Sequence, residues 1–237
     1  MNPYEKLLNR KRKWTPVQPN AGTCKEGAEA TIHRALALRH MELPVGDFIS
    51  DALASEVPSL AREILGSNVK DEENHDLALG YIAASYGVDE QAEAEALRLK
   101  SAWEAHPDHT ITKALVAERA IFFVLLPFFR FNGDSSMRTV SADISRDEQI
   151  HVATNSLVHT ELGYNISPSL DKLRKATINW VMQPLGTHSD KYLDKNFWID
   201  SSDRLMYEGK APQLAETKAA RMPAFFEHSN VNLPKYA

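Results

Sequence analysis

The chain is poor in cysteine, in long apolar runs and in excess charge of either sign. Cys24 is its one cysteine, so no internal disulfide can form and no thiolate cluster can hold a metal. With the polar, charged first residues, which do not resemble a secretory signal, this points to a reducing cytoplasm. The longest apolar stretch, Ala120 to Phe129, is about ten residues with Pro127 inside it, too short to span a bilayer. The net charge of −5 offers no broad basic surface for nucleic acid. The one basic run, Arg10-Lys11-Arg12-Lys13 beside Trp14, reads as part of a solvated terminal arm. At 237 residues, 43% hydrophobic and 25% charged, the chain fits one large globular domain.

What the chain does have is a duplicated motif. Lys70-Asp71-Glu72-Glu73-Asn74-His75 and Arg146-Asp147-Glu148-Gln149-Ile150-His151 both read basic-Asp-Glu-x-x-His. Each motif glutamate follows another by 30 residues, Glu42 and Glu118, and the second set is the first shifted by 76. Of nine histidines, only His75 and His151 have a glutamate three residues before them. Glu and His at i and i+3 share one helix face. Two such pairs with two further inward glutamates form the ligand set of a carboxylate-bridged di-metal site in a four-helix bundle. The competing reading is a helical hairpin carrying exposed Glu–His pairs.

The periodicity is helical from about residue 25 and fades beyond Pro184. Residues 1–24, with two prolines near their end, read as an irregular arm, and 25–186 as the bundle. Helices are predicted at about 25–53, with a kink after Glu42 caused by Pro44, then at 59–86, 89–106, 110–131, 135–162 and 168–182. The second carries Leu60, Ile64, Leu65, Val69, Glu72, His75, Leu79 and Ile82 on its inward face, while the third looks mostly solvated. Residues 187–237 read as an aromatic extension of short helices and an irregular tail, packing on the bundle or on a partner subunit.

The spacing has a geometric meaning. If Glu42 and Glu72 sit at one height on antiparallel helices, the chain must turn midway, at residue 57. The same argument for Glu118 and Glu148 gives residue 133. Both fall in turn signals, Ser55-Glu56-Val57-Pro58 and Asn132-Gly133. The helix at 89–106, roughly 27 Å long, can return the chain along the outside as one long crossover.

Four carboxylates would neutralise two divalent cations, so a filled site can be buried. Oxygen and imidazole ligands suit iron or manganese. Glu72 and Glu148 are assigned as bridging ligands and the residues nearest the chemistry, with Glu42 and Glu118 terminal beside His75 and His151. Asp71 and Asp147 are candidates to hydrogen-bond the histidines. Phe122, Phe123, Phe128 and Phe129 are expected chiefly as core, with Phe122, Phe123 and Leu79 as candidate pocket walls. His40, near Glu42, is weighed as an extra nitrogen ligand; His106 and His109 read as loop residues.

The segment from Leu115 to His151 resembles the small subunit of ribonucleotide reductase and its oxidase relatives. The match lies in Glu118, Phe122-Phe123 one turn on, and Ile144-Ser145-Arg146-Asp147-Glu148-x-x-His151; Glu42 to Tyr81 is similar with weaker motifs. The resemblance implies an all-α, ferritin-like four-helix bundle with a di-iron or mixed manganese–iron centre that activates O2. The radical tyrosine usual four residues after the first-motif histidine is here Leu79, and Tyr81 lies two residues on. The doubled motif is also similar to that of arylamine N-oxygenases.

The resulting expectation is an oxidase or oxygenase acting on a small organic substrate, served by an electron donor and acting as a homodimer. The alternatives are a shortened reductase subunit, for which Tyr236 could serve docking, and an iron-storage or structural bundle.

Overall fold

The computed structural model describes residues 2–20, 22–55 and 57–214. Ten α-helices are found there: α1 Pro3–Leu8, α2 Glu29–Ala37, α3 Glu42–Ala54, α4 Arg62–Tyr86, α5 Glu90–Glu104, α6 Thr110–Ala117, α7 Phe123–Asn132, α8 Ser135–Glu161, α9 Pro168–Met182 and α10 Lys195–Glu208. No strand occurs among the described residues, and none of their helices is long and apolar enough to cross a membrane.

Four antiparallel rods close a ring: α3 packs on α4, α4 on α8, α8 on α6–α7, and α6 back on α3. The two turns fall where the spacing places them. Gly133 stands at the second because a Cβ there would lie 2.6 Å from Met137 Cβ and from the Phe129 carbonyl oxygen. Asp134 then caps α8, accepting from the Met137 N–H at 2.8 Å. Asp89 caps α5 in the same way through the Ala92 N–H at 2.7 Å. The crossover helix α5 is less solvated than its composition suggests. It lies against α2 and α9, with Trp103 fully buried and donating to Thr177 Oγ1 at 3.1 Å.

Local backbone differs from the sequence expectations in informative places. The first long helix is split, and the irregular turn, 3₁₀ over Leu38–Met41, precedes Glu42 instead of following it. Pro44 lacks the N–H that would bond the His40 carbonyl, and its ring crowds that carbonyl, so the distortion falls N-terminal to the proline. Leu60, expected inward, is 61% exposed because it sits in a 3₁₀ turn, Ser59–Ala61, ahead of α4. The N-terminal segment is partly ordered as α1. Asn2 and Glu5 form a reciprocal capping box there, and the helix packs on α8 and α4.

The C-terminal extension contributes α10, which packs on α9, on α7 and on the backbone around Glu118. Trp198 is fully buried edge-on to Phe128, with ring centroids 5.3 Å apart. Phe128 therefore belongs to the core between α7 and α10. Residues 215–237, including Phe225, Phe226 and Tyr236, lie outside the described residues, as does Glu56 of the first turn.

Candidate metal centre

Each of the four rods delivers its share of the six residues. Glu42 opens α3, Glu72 and His75 lie one turn apart on α4, and Glu148 and His151 do the same on α8. Glu118 begins a π-helical stretch, Glu118–Phe122, between α6 and α7. Pro127, four residues beyond Phe123, frees the Phe123 carbonyl, and the wider turn lies immediately before it. Gly46, one turn after Glu42, brings α3 close to α4: a Cβ there would sit 3.4 Å from Glu72 Cβ.

All six side chains converge, each at most 1% exposed. The Nδ1 atoms of both histidines face the carboxylates. His75 Nδ1 lies 3.3 Å from Glu72 Oε2, 3.3 Å from Glu148 Oε1 and 3.7 Å from Glu42 Oε2. His151 Nδ1 lies 2.9 Å from Glu72 Oε1, 3.8 Å from Glu148 Oε1 and 3.8 Å from Glu118 Oε1. Glu72 and Glu148 thus face both imidazoles, whereas Glu42 faces only His75 and Glu118 only His151. Glu72, His75, Glu148 and His151 each offer an atom to a group whose members all lie within 4.8 Å of one another.

The Nε2 atoms point the other way, to carboxylates contributed by the opposite repeat. His75 Nε2 is 3.4 Å from Asp147 Oδ2, and His151 Nε2 is 3.0 Å from Asp71 Oδ2. Asp147 and Asp71 are thus each placed beside the outer nitrogen of one histidine. The N-terminal segment then closes over them. The Trp14 indole Nε1 donates to Asp147 Oδ2 at 2.6 Å, and its ring stacks near His75 with centroids 6.2 Å apart. Lys11 Nζ reaches Asp71 Oδ2 at 2.5 Å and Asn68 Oδ1 at 2.8 Å. Arg12 pairs with Asp143 at 2.8 Å. The basic run expected in solvent is, in its middle, the outer wall of the site.

Asn155 also lies outside the sequence reading. Its Nδ2 donates to Glu118 Oε2 at 2.6 Å. It stands four residues after His151 on the same helix face, a spacing that could have marked it. The equivalent position in the first repeat is Leu79, which is buried and apolar, so Glu42 has no counterpart to this amide. His40 pairs with Glu93 Oε2 at 2.5 Å, on the outer side with Arg39. His106 contacts Ser169 Oγ at 3.2 Å, and His109 stacks on Tyr164 with centroids 4.2 Å apart. Phe122 is buried in the core, and Phe123, half-buried, lines an outer cleft.

Burial and mutual repulsion pull against the two imidazoles in setting the electrostatics of the cluster. Burial drives Glu42 and Glu118 well above the ordinary carboxyl range, reinforced by neighbouring glutamates. Burial, then repulsion from Glu72, raises Glu148. Burial also opposes charge on Glu72, but His151 and His75 outweigh it and hold that carboxyl well below its usual value. Burial disfavours protonated His75, yet Asp147, Glu148, Glu42 and Glu72 hold its pKa well above normal. For His151 the same opposition, won by Glu72 and Asp71, raises the pKa to about 10.

The donor set fits a pair of cations. Both oxygens of Glu72, both of Glu148, Glu42 Oε2, Glu118 Oε1 and the Nδ1 atoms of His75 and His151 are buried without a hydrogen-bond partner. So many unpartnered lone pairs facing one point would be costly unless something positive satisfies them.

No protein-family model and no curated protein sequence matches the chain. Among solved structures, it is similar to one from Bacillus halodurans provisionally described as a class I ribonucleotide reductase. The TM-score is 0.55 at 16% identity, covering 95% of this chain and 98% of the other. At that identity the likeness establishes the fold, a ferritin-like helical bundle.

Proposed function

We propose that this chain is a di-metal carboxylate oxidoreductase that reacts with O2 and oxidises a small organic substrate. One observation carries the reading: Glu72 and Glu148 each face both histidines from within a fully buried set of unpartnered oxygens and Nδ1 atoms. In this reading Glu42 and His75 would hold one cation and Glu118 and His151 the other, with Glu72 and Glu148 shared between them. Oxygen-rich ligation with one imidazole per cation suits iron at both positions or manganese with iron. Bound as a pair, such metals supply the electrons and open positions for O2 chemistry.

The protein's own contribution is to orient and to exclude. Asp147 and Asp71 accept from the Nε2–H groups, which fixes the imidazole tautomer and leaves each Nδ1 free for a cation. The amide of Asn155 holds Glu118 in one rotamer. Lys11 and Trp14 seal the aspartates from water on the outer face, where the electrostatics would otherwise be screened. A separate electron donor and a second copy of the chain belong to this proposal.

The runner-up is a protein like the reductase small subunit. It is favoured by the line from Trp14 through Asp147 to His75, in which an oxidisable ring is hydrogen-bonded to a residue touching a ligand. It is disfavoured by Leu79, which cannot store a radical.

The test is anaerobic loading with Fe(II), metal counting, and then an O2 pulse followed by optical and electron paramagnetic resonance spectra. Two metals per chain with stoichiometric O2 consumption and no lasting organic radical support the oxidase. A persistent radical supports the reductase-like reading. Iron uptake far beyond two atoms per chain supports storage and overturns both.

A further inference from the structure

A second feature lies on the outer side of the same helices. Between the π-helical turn, α8 and α10 runs a cleft of about 440 Å³, within the range of about 300–1,000 Å³ usual for small-molecule sites. Four of its lining residues, Gln149, Val152, Ala153 and Ser156, are spaced i, i+3, i+4 and i+7, which is one face of α8. That face adjoins the one bearing Glu148, His151 and Asn155. The lining also follows the ligands along the chain: Arg119 is next to Glu118, Gln149 to Glu148 and Val152 to His151. The cleft is therefore built on the backbone that holds one half of the metal centre.

Its walls are mostly apolar, through Phe123, Val152, Ala153 and Leu205, with one cation, Arg119. Arg119 is fixed by its Nε, which donates to the Leu205 carbonyl at 2.8 Å in the last turn of α10. Gly209 leaves room for it: a Cβ there would sit 2.6 Å from Arg119 Nη2. The terminal nitrogens meet no carboxylate among the described residues, although the side chain is only half exposed. A half-buried cation with no counter-ion is unfavourable and is relieved by an anion. After Gly209 the chain doubles back along α10, where Gln213 Nε2 bonds Asp200 Oδ2 at 2.9 Å and Ser201 Oγ at 3.1 Å. By that point it has left the Arg119 end of the helix.

We propose that this cleft binds a small monocarboxylic acid with an apolar body, its carboxylate paired with Arg119 and its hydrocarbon lying along Phe123, Val152 and Leu205. The assignment rests on the oxidoreductase reading for its meaning as a substrate site, but binding is tested without turnover. A purely structural Arg119, capping α10, would affect stability and would not distinguish an acid from an alcohol of the same length.

The experiment is calorimetric titration of the full chain, metal-free and metal-loaded, with octanoate and with 1-octanol. Octanoate is expected to bind at least tenfold more tightly than octanol. Arg119→Gln should remove that preference while circular dichroism shows the helices intact. Ser156→Leu, which fills the cleft and leaves Arg119 in place, should weaken octanoate at least tenfold, and it serves if Arg119→Gln does not fold. Equal affinity for acid and alcohol, or octanoate binding unchanged in both variants, would overturn the proposal. So would absence of octanoate binding by the full chain. Arg119-dependent binding in a protein that takes up no O2 would retain the acid site and remove the oxidase reading. Metal-dependent O2 consumption without acid binding would do the reverse.

Discussion

Asp147, on the second repeat, lies 3.4 Å from Nε2 of His75, on the first. The reciprocal contact, Asp71 to His151 at 3.0 Å, completes a crossed pair. Each motif therefore orients the other's histidine, and neither half can form a finished site alone. The outer partners break the symmetry, with a neutral indole on Asp147 and an ammonium on Asp71.

The bridging assignment separates the glutamates by metal stoichiometry. Glu148→Ala is expected to leave the helices formed and to lose both metals. Glu42→Ala should lose chiefly the one beside His75, leaving about one per chain. Metal analysis with circular dichroism reads both; full occupancy in Glu148→Ala contradicts the bridging role.

Trp14→Phe keeps a ring near His75 but removes the indole donor to Asp147. A hydrogen bond to a buried charged group contributes about 1.5–3 kcal/mol, so the variant should unfold several degrees lower. Denaturant titration provides the free energy. An unchanged midpoint would mean that the N-terminal segment does not hold this contact in solution.

Asn155→Leu makes the second repeat resemble the first, where Leu79 stands. Glu118 would lose its amide partner, and affinity for the metal beside His151 should fall about 10–100-fold. Competition with a chelator of known affinity measures this, and the metal beside His75 should be much less affected.

The metal-free protein should lose stability as pH rises. Protonated His151 contributes fully below its unfolded pKa of about 6.5, and that contribution is lost as pH passes its folded value of about 10. Glu42 and Glu118, raised in the fold, keep protons that the unfolded chain releases, so they act in the same direction. Glu72 and Asp71 are held below their usual values; their contribution is present above the ordinary carboxyl pKa and lost toward strong acid. The melting temperature of metal-free protein should therefore fall between pH 6.5 and 10, and that of loaded protein should fall less. Metal loading should release protons and tighten with pH. A flat metal-free profile over that range would contradict the coupling.

How much of this was legible in the sequence follows from which contacts are local. The Glu-x-x-His pairs announce themselves because one helical turn fixes their shared face, and the equal spacing of Glu42 to Glu72 and Glu118 to Glu148 fixes the two turns. Asn155 obeys the same local rule but lacks a twin in the first repeat to single it out. Trp14 and Lys11 were not legible. Their contacts span the chain, Trp14 to Asp147 across 133 residues, and a basic run reads the same whether it is solvated or folded back. The cleft at Arg119 needed α10, whose consecutive Phe197, Trp198 and Ile199 obscure its helical period. The 3₁₀ turn before Glu42 shows that Pro44 acts on the turn preceding it.

On this proposal six side chains from four rods hold two cations between them. The decisive measurement is anomalous diffraction from crystals loaded with Fe(II) or Mn(II) under argon. Two peaks about 3.5–4 Å apart are expected, with Glu72 and Glu148 touching both, His75 and Glu42 on one, and His151 and Glu118 on the other. A single peak, or metal bound away from these residues while they stay packed against one another, would contradict it.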